Sequence, residues 1–407
     1  MITVIKLALR NLWRNKRRTL ITAASVMFAA FFAIAMSSIQ KGTWFNTLEG
    51  MLHNYTGYIQ VHQKGYWENQ SIDLLMDNSP AFKDTLLNAP GANKVLTRLE
   101  NFALASANNK TKGVLIAGID PAQANSFSNI EDQLIEGRYL TPDKSEAVIG
   151  KDLSKTMQLN VGDTLVAISQ GYRGNNAVGQ YRITGIADFG TPEFNKQMVY
   201  IPLAEAQYFY AAENLLSSFV ITTSSIDHID ETVQYYKNHL DTNQYEIMSY
   251  EELIPSIIEA QSIDEASSKI ILYILYLLIG FGILGTVMMM LKERQYEFGV
   301  LKAIGMKSRM LFQMVALEIL GIGIIGVVAG SIIALPIVTY FNKNPIALGD
   351  KYAETYEQFN MEPLIKAIID PRIFYEQVVV VFVMVLFISI YPLFSLKKLK
   401  PVAAMRV

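Results

Sequence analysis

The chain has 407 residues, 51% hydrophobic and 18% charged, with a net charge of −2 and no cysteine. So much apolar surface excludes a disordered chain, and the size and missing cysteines exclude a disulfide-stapled miniature domain. A pI near 6.2 gives no basic footprint for nucleic acid, and a mean hydropathy of +0.22 lies between water-soluble and fully membrane-embedded proteins.

Residues 1–18 are basic. Lys6, Arg10, Arg14 and Arg17 recur at helical spacing, while Ile5, Leu9, Leu12 and Trp13 fall mainly on another face. This predicts an amphipathic helix lying on anionic lipid headgroups. Leu20–Ile39 follows. It is the first of four windows, with Ile270–Leu291, Val315–Val338 and Val378–Leu396, in which Glu318 is the single charged side chain. Crossing a hydrocarbon core about 30 Å thick takes about 20 apolar residues in a helix, and each window suffices. A signal peptide is the alternative for the first window, given its basic start and the small residues Ala33-Ile34-Ala35. Its apolar run exceeds the usual 7–15 or so residues of a signal peptide, which favours an uncleaved span.

The expected fold class is a membrane protein with four transmembrane helices, one plus three (19–39, 270–291, 315–338, 378–396). A large α+β extracytoplasmic domain, 40–269, is inserted between spans 1 and 2. Short β-branched or aromatic runs predict strands at Tyr58–His62, Phe102–Ala107, Gly113–Ile119, Ala147–Gly150, Thr164–Ser169, Tyr181–Ala187, Met198–Ile201 and Phe219–Thr222. Asn108-Asn109-Lys110-Thr111 reads as a hairpin turn. Asp152–Leu159, Leu203–Tyr210 and Ile229–Leu240 read as helices. The stretch 250–269 carries an apolar stripe and no loop signal, which predicts a stalk helix continuous with span 2. His53, His62, His228 and His239 lack metal-ligand spacing and read as surface residues, and no metal site or catalytic constellation is expected. GxxxxGK[ST], GxSxG and HExxH do not occur.

In the loop 292–314, Phe298, Leu301 and Ile304 recur at helical spacing with Val300 nearby, against polar Glu293, Arg294, Glu297 and Lys302. This predicts a short amphipathic helix ended by Gly305 in a left-handed cap, with Ser308 capping the next helix. Gly299 within the helix and the mixed-sign charges suit a protein groove better than a lipid surface. In span 3, Gly326 and Gly330 form a GxxxG pair for close helix packing, on a neighbouring helix or on a partner subunit. Glu318 lies about one turn in; snorkelling or a pair with a base such as Arg309 outweighs ion translocation. After the loop 339–377 and span 4, the tail 397–407 is basic. The domain 40–269 has 16 basic and 28 acidic residues, while 1–18, 292–314 and 397–407 are rich in Lys and Arg. The positive-inside rule then puts both termini and the 292–314 loop in the cytoplasm.

The stretch ERQYEFGVLKAIGMK, residues 293–307, resembles the signature of MacB/FtsX-type ABC transporter permeases, a group that includes the lipoprotein-releasing permeases. Ala8–Thr19, Gly118-Ile119-Asp120-Pro121, Glu136-Gly137-Arg138, Ile149–Leu153, Val161-Gly162-Asp163, Ile201-Pro202-Leu203, Tyr391-Pro392 and Lys400–Arg406 resemble further family motifs in the family's order. Met405 stands where leucine is usual. The resemblance implies a permease in the bacterial inner membrane, working by mechanotransmission and not itself an enzyme. ATP and Mg would be bound by a separate cytoplasmic ABC ATPase, present in two copies. This ATPase would dock on a coupling helix comprising Glu293, Arg294, Glu297, Phe298, Gly299, Val300, Leu301, Lys302, Ala303, Ile304 and Gly305. It further implies a second permease subunit and a structural role for Glu318. In layout the chain is most like the LolC/LolE group, which implies lipoprotein release toward the outer membrane. Tyr172 and Arg173 sit where that group can carry a loop for a periplasmic carrier, though the loop is short here. The alternatives are MacB-like efflux of peptides or drugs, FtsX-like signalling to cell-wall hydrolases, and a receptor without an ATPase.

Overall fold

The computed structural model describes residues 6, 10–12, 14, 16–348 and 364–397. The motif Lys400–Arg406, residues 349–363 of the loop and part of the N-terminal segment lie outside them. The chain divides into two compact units, one built on the membrane helices and one on residues 46–260.

The membrane unit contains α1 (Lys16–Met51), α2 (Pro255–Glu293), α3 (Gln295–Ala303), α4 (Ser308–Lys343), α5 (Pro371–Ile388) and α6 (Tyr391–Lys397). The four expected windows fall in α1, α2, α4 and the α5–α6 stretch, each long and apolar enough to cross a membrane. Val26, Ala29 and Ala30 of α1 share a core with Ile283 and Val287 of α2, Val315 and Ile319 of α4, and Val381 and Val385 of α5. Lipid tails are as apolar as these side chains, so tight packing must supply the association. Small residues permit it. A Cβ at Gly326 would lie 2.6 Å from Val26 Cβ, and one at Gly330 2.6 Å from Met27 O. The GxxxG pair is thus occupied by α1 of the same chain. Gly323 serves another face, where a Cβ would meet Val385 Cγ1 at 2.6 Å. Toward the far end of α1, Asp264 of α2 accepts hydrogen bonds from Trp44 Nε1 (2.7 Å) and Gln40 Nε2 (3.2 Å).

The stalk differs from expectation. Tyr250–Leu253 is a separate turn with a Ser249/Glu252 capping box, and Ile254 breaks the helix at φ −126°, ψ 52°. Pro255 is the reason: it lacks an N–H and pushes the residue before it out of the helical region. From Pro255 the helix then runs unbroken to Glu293.

The outer unit is α/β. Its ten-stranded sheet uses β1 (Ile59–Gln63), β2 (Ala92–Ala107), β3 (Lys110–Ile119), β4 (Leu134–Gly137), β5 (Glu146–Gly150), β6 (Thr164–Gln170), β7 (Asn176–Ala187), β8 (Met198–Pro202), β9 (Ser218–Thr223) and β10 (Tyr245–Ser249). The order is β10-β1-β9-β2-β3-β8-β5-β7-β4, and β6 pairs with both β2 and β7. The pairings β2-β3-β8-β5-β7-β6-β2 therefore close on themselves. This ring encloses Leu99, Ala105, Ile116, Ile149, Leu165, Ile183 and Val199. Strand β2 belongs to both regions: residues 92–98 pair with β9 and residues 104–106 with β6. All eight expected strands are present, as is the hairpin turn, where Asn108 and Asn109 take positive φ. The helices Lys151–Met157, Leu203–Phe209 and Ile229–His239 match their expected positions.

Replacing Gly326 by valine forces a branched side chain into the α1 contact. The expected outcome is a loss of about 1–3 kcal/mol, typical of overpacking, read as a lower thermal midpoint in detergent; an unchanged midpoint contradicts this packing.

Candidate functional site

The helix α3 is built from a one-residue break. Helix α2 ends at Glu293, Arg294 takes φ −98°, ψ 11°, and α3 starts at Gln295. At the other end Gly305 sits at φ +103°. Its N–H bonds Lys302 O (3.2 Å) and the Met306 N–H bonds Leu301 O (3.0 Å). This pair of bonds is the Schellman arrangement, in which a left-handed glycine satisfies the last carbonyls. Ser308 does not cap α4; Lys307 holds the cap position in extended conformation, with no side-chain bond.

Two side chains fix α3 from within. Phe298 is fully buried in the membrane unit's core. Arg294 is 3% exposed, and its Nη1 donates to both carboxylate oxygens of Glu318, at 2.9 and 2.7 Å. Glu318 is itself 2% exposed. Arg294 Nε also donates to Glu297 Oε2 (3.1 Å), and its guanidinium lies 5.0 Å from the Phe298 ring centroid. Glu297 Oε1 in turn accepts from Arg14 Nη2 (3.0 Å) at the surface. A chain of alternating charge, Arg14–Glu297–Arg294–Glu318, thus runs from the N-terminal segment through α3 into α4. Glu318 is neither snorkelling nor paired with Arg309. Arg309 lies nine residues away on the same helix, about 14 Å along the axis, beyond side-chain reach.

The expected contact residues divide by face. Arg294, Phe298 and Gly299 are buried; Val300, Leu301 and Lys302 are half-buried, and Leu301 packs against the core. Glu293, Glu297, Ala303, Ile304 and Gly305 are exposed, Ile304 at 78%. Polarity misleads twice here: an arginine points in and an isoleucine points out. Tyr296, 56% exposed, belongs to the outward face and was missing from the sequence reading. Its spacing of seven from Ala303, two helical turns along the same face, is the signal that marks it.

Tyr172 and Arg173 lie in the tight β6–β7 connection, Gly171–Asn175, and not in a long free loop. The Tyr172 N–H bonds Tyr210 O (2.7 Å), the Arg173 N–H bonds Asp73 Oδ1 (2.7 Å), and Tyr172 packs on the ring core. His62 is fully buried, not a surface residue. Burial lowers its pKa to about 3, and it stacks on Tyr66. His228 and His239 are exposed. Among the described residues no group of His, Cys, Asp and Glu could hold a metal ion.

Residues 19–237 match the family described as the MacB-like periplasmic core domain, and residues 269–401 match the FtsX-like permease C-terminal family. The chain belongs to the MacB/FtsX family of ABC transporter permeases. It is 27% identical over 229 residues to the uncharacterized ABC transporter permease YclI of Bacillus subtilis (strain 168), covering 53% of this chain and 47% of that protein. The chain thus spans about half the length of the curated relative it matches. Solved structures similar to part of the permease include two domains of related transporters. One is the extracellular domain of the noncanonical ABC-type transporter YknZ from Gram-positive bacteria, at 15% identity and a TM-score of 0.34, covering 47% of this chain and 100% of that chain. Another is the periplasmic region of MacB from Actinobacillus actinomycetemcomitans, at 16% identity and a TM-score of 0.35, covering 51% of this chain and 95% of that chain. The four membrane helices and the domain between the first two are the architecture of this permease family.

Removing one member of the clasp strands the other. Glu318→Ala leaves a buried guanidinium without its carboxylate, at an expected cost of about 3–5 kcal/mol. The double variant Arg294→Met/Glu318→Leu removes both charges and is expected to unfold near the wild-type midpoint. Thermal unfolding of both in nanodiscs checks this; equal losses would contradict a coupled pair.

Proposed function

We propose that this permease passes the ATP-driven motion of a separate ATPase through α3 into its membrane helices and outer domain, with α3 as the docking element. The observation that supports this best is the division of α3. Its inner face is fixed by Phe298 and the Arg294–Glu318 pair, which leaves Glu293, Tyr296, Glu297, Ala303 and Ile304 facing outward. A helix held this firmly on one side can transmit a push received on the other. No Walker A motif occurs in residues 1–407, so ATP and Mg would be held by the partner. The basic segments put α3 and both termini on the cytoplasmic side of a bacterial inner membrane. Two ATPases and a second permease subunit complete the assembly. Span 2, whose most apolar window is 11% buried within the subunit, supplies an uncovered face for that second copy or for lipid.

Lipoprotein release toward the outer membrane is the substrate reading the layout favours, on the strength of the long segment 344–370 between α4 and α5. The tied-down Tyr172–Arg173 turn favours a second reading, MacB-like efflux or FtsX-like signalling, since neither needs a protruding carrier loop there.

Ile304→Glu places a charge on the outward face without disturbing the core. The expected result is at least a tenfold loss of co-purifying ATPase, equivalent to about 1.4 kcal/mol, with normal membrane insertion. Leu301→Glu should lose the ATPase and also lower the thermal midpoint, because Leu301 packs inward. Full ATPase recovery with Ile304→Glu would overturn the docking assignment.

A further inference from the structure

A second buried ion pair lies in the outer unit, where the helix that begins as span 1 ends. Helix α1 runs to Met51 and continues as a π-helical turn, Leu52–Thr56. Gly57, at φ +68°, closes the turn with its N–H on Leu52 O (2.9 Å). The last carbonyls of any helix lack intrahelical donors and carry the negative end of its dipole. Here the sheet provides the donors. Arg98 Nη1 of β2 donates to Tyr55 O (2.7 Å), and Gln60 Nε2 of β1 donates to Thr56 O (2.6 Å).

Arg98 is 1% exposed and Glu100 4%. Arg98 Nε lies 3.1 Å from Glu100 Oε2, and that oxygen also accepts from Tyr55 Oη at 2.7 Å. The guanidinium sits 4.1 Å from the Tyr55 ring centroid. Burial, then the Glu100 charge, holds the Tyr55 phenol well above its ordinary pKa, so it remains a donor. The base is rigid as well: Arg98 is paired with Ile119 of β3 on one side and Ser218 of β9 on the other. Ser217 Oγ bridges Arg98 O and the Glu100 N–H.

We propose that Arg98 and Glu100 are positioning residues that fasten the outer end of the span 1 helix to the sheet, with Tyr55 as the contact that bears the load. A buried ion pair is a poor source of stability but fixes direction, because its strength depends on geometry that apolar packing does not impose. Two hydrogen bonds and a cation–π contact at differing angles on one tyrosine resist both twisting and withdrawal of the helix end. This inference rests on the mechanotransmitting reading only for its use; the attachment itself is a property of the chain alone.

The test uses the full-length chain in nanodiscs, with and without the co-expressed ATPase and ATP. The chain has no native cysteine, so Gly50→Cys and Thr111→Cys give two unique spin-label sites. A Cβ at Gly50 meets nothing within 4 Å. The parent should give one narrow distance distribution. Arg98→Met/Glu100→Leu should keep its thermal midpoint yet broaden the distribution about twofold, as a loosened attachment samples more states. Tyr55→Phe, which keeps the ring, should broaden it less. ATPase co-purification should be unchanged in all of these, while the outer label's response to ATP is lost in the double variant. A parental width in the double variant overturns the proposal; if that variant does not fold, a parental width in Tyr55→Phe does so. Failure of the parent to bind any ATPase would instead defeat the proposed function and leave the distance result standing.

Discussion

The carboxylate of Glu318 and the guanidinium of Arg294 are each almost wholly out of water, so each needs the opposite charge of the other to offset the cost of its burial. That dependence constrains the membrane unit. Arg294 is the residue at which α2 stops and α3 begins, and Glu318 lies within α4. The pair therefore fixes three helices at one point. Phe298 sets the roll of α3 about its axis, and the Schellman end at Gly305 sets where it stops. The outward face is what these constraints leave over. In our reading it meets the ATPase, and the clasp carries its displacement to span 3 instead of letting α3 swing freely.

The same device recurs in the outer unit. Arg98 and Glu100 hold the end of the long helix that starts as span 1, using the helix's own unsatisfied carbonyls. Within the membrane unit, Asp264 also ties α1 to α2 through Trp44 and Gln40. Each joint is directional and hydrogen-bonded, whereas the packing along the spans is apolar and depends on shape. Lipid offers no penalty for sliding one apolar helix past another, so the polar joints help to define register.

Much of this was legible in the sequence. Charge depletion located all four spans, because a charge in hydrocarbon is expensive whatever the fold. Alternation located eight strands, and Asn-Asn their hairpin. What escaped reading has a common physical cause. The first half of β2 carries Lys94, Arg98 and Glu100, which look like a solvated surface until Arg98 and Glu100 are seen paired and buried. Arg294 looked like the polar face of its helix for the same reason, and although Glu318 pairs with a base as the sequence suggested, that base is Arg294 and not a residue such as Arg309. A charged side chain signals exposure only while it lacks a partner, and partners distant in sequence leave no periodic trace. Ile304, on the same apolar stripe as Phe298, is exposed where Phe298 is buried: by pattern alone an exposed apolar residue at a helix end is indistinguishable from a core residue. The closed ring was illegible because the double pairing of β6 is a long-range contact that strand patterns do not encode.

The central claim is that α3 presents one face to an ATPase while its other face is locked into the subunit. A photo-crosslinking scan tests it most directly, with a photoreactive residue placed singly at each position from 293 to 305 and the ATPase co-expressed. The account predicts crosslinks that peak at positions 293, 296, 297, 303 and 304 and vanish at 294, 298 and 299. Uniform crosslinking along the segment, or ATPase crosslinks only elsewhere on the chain, would contradict it.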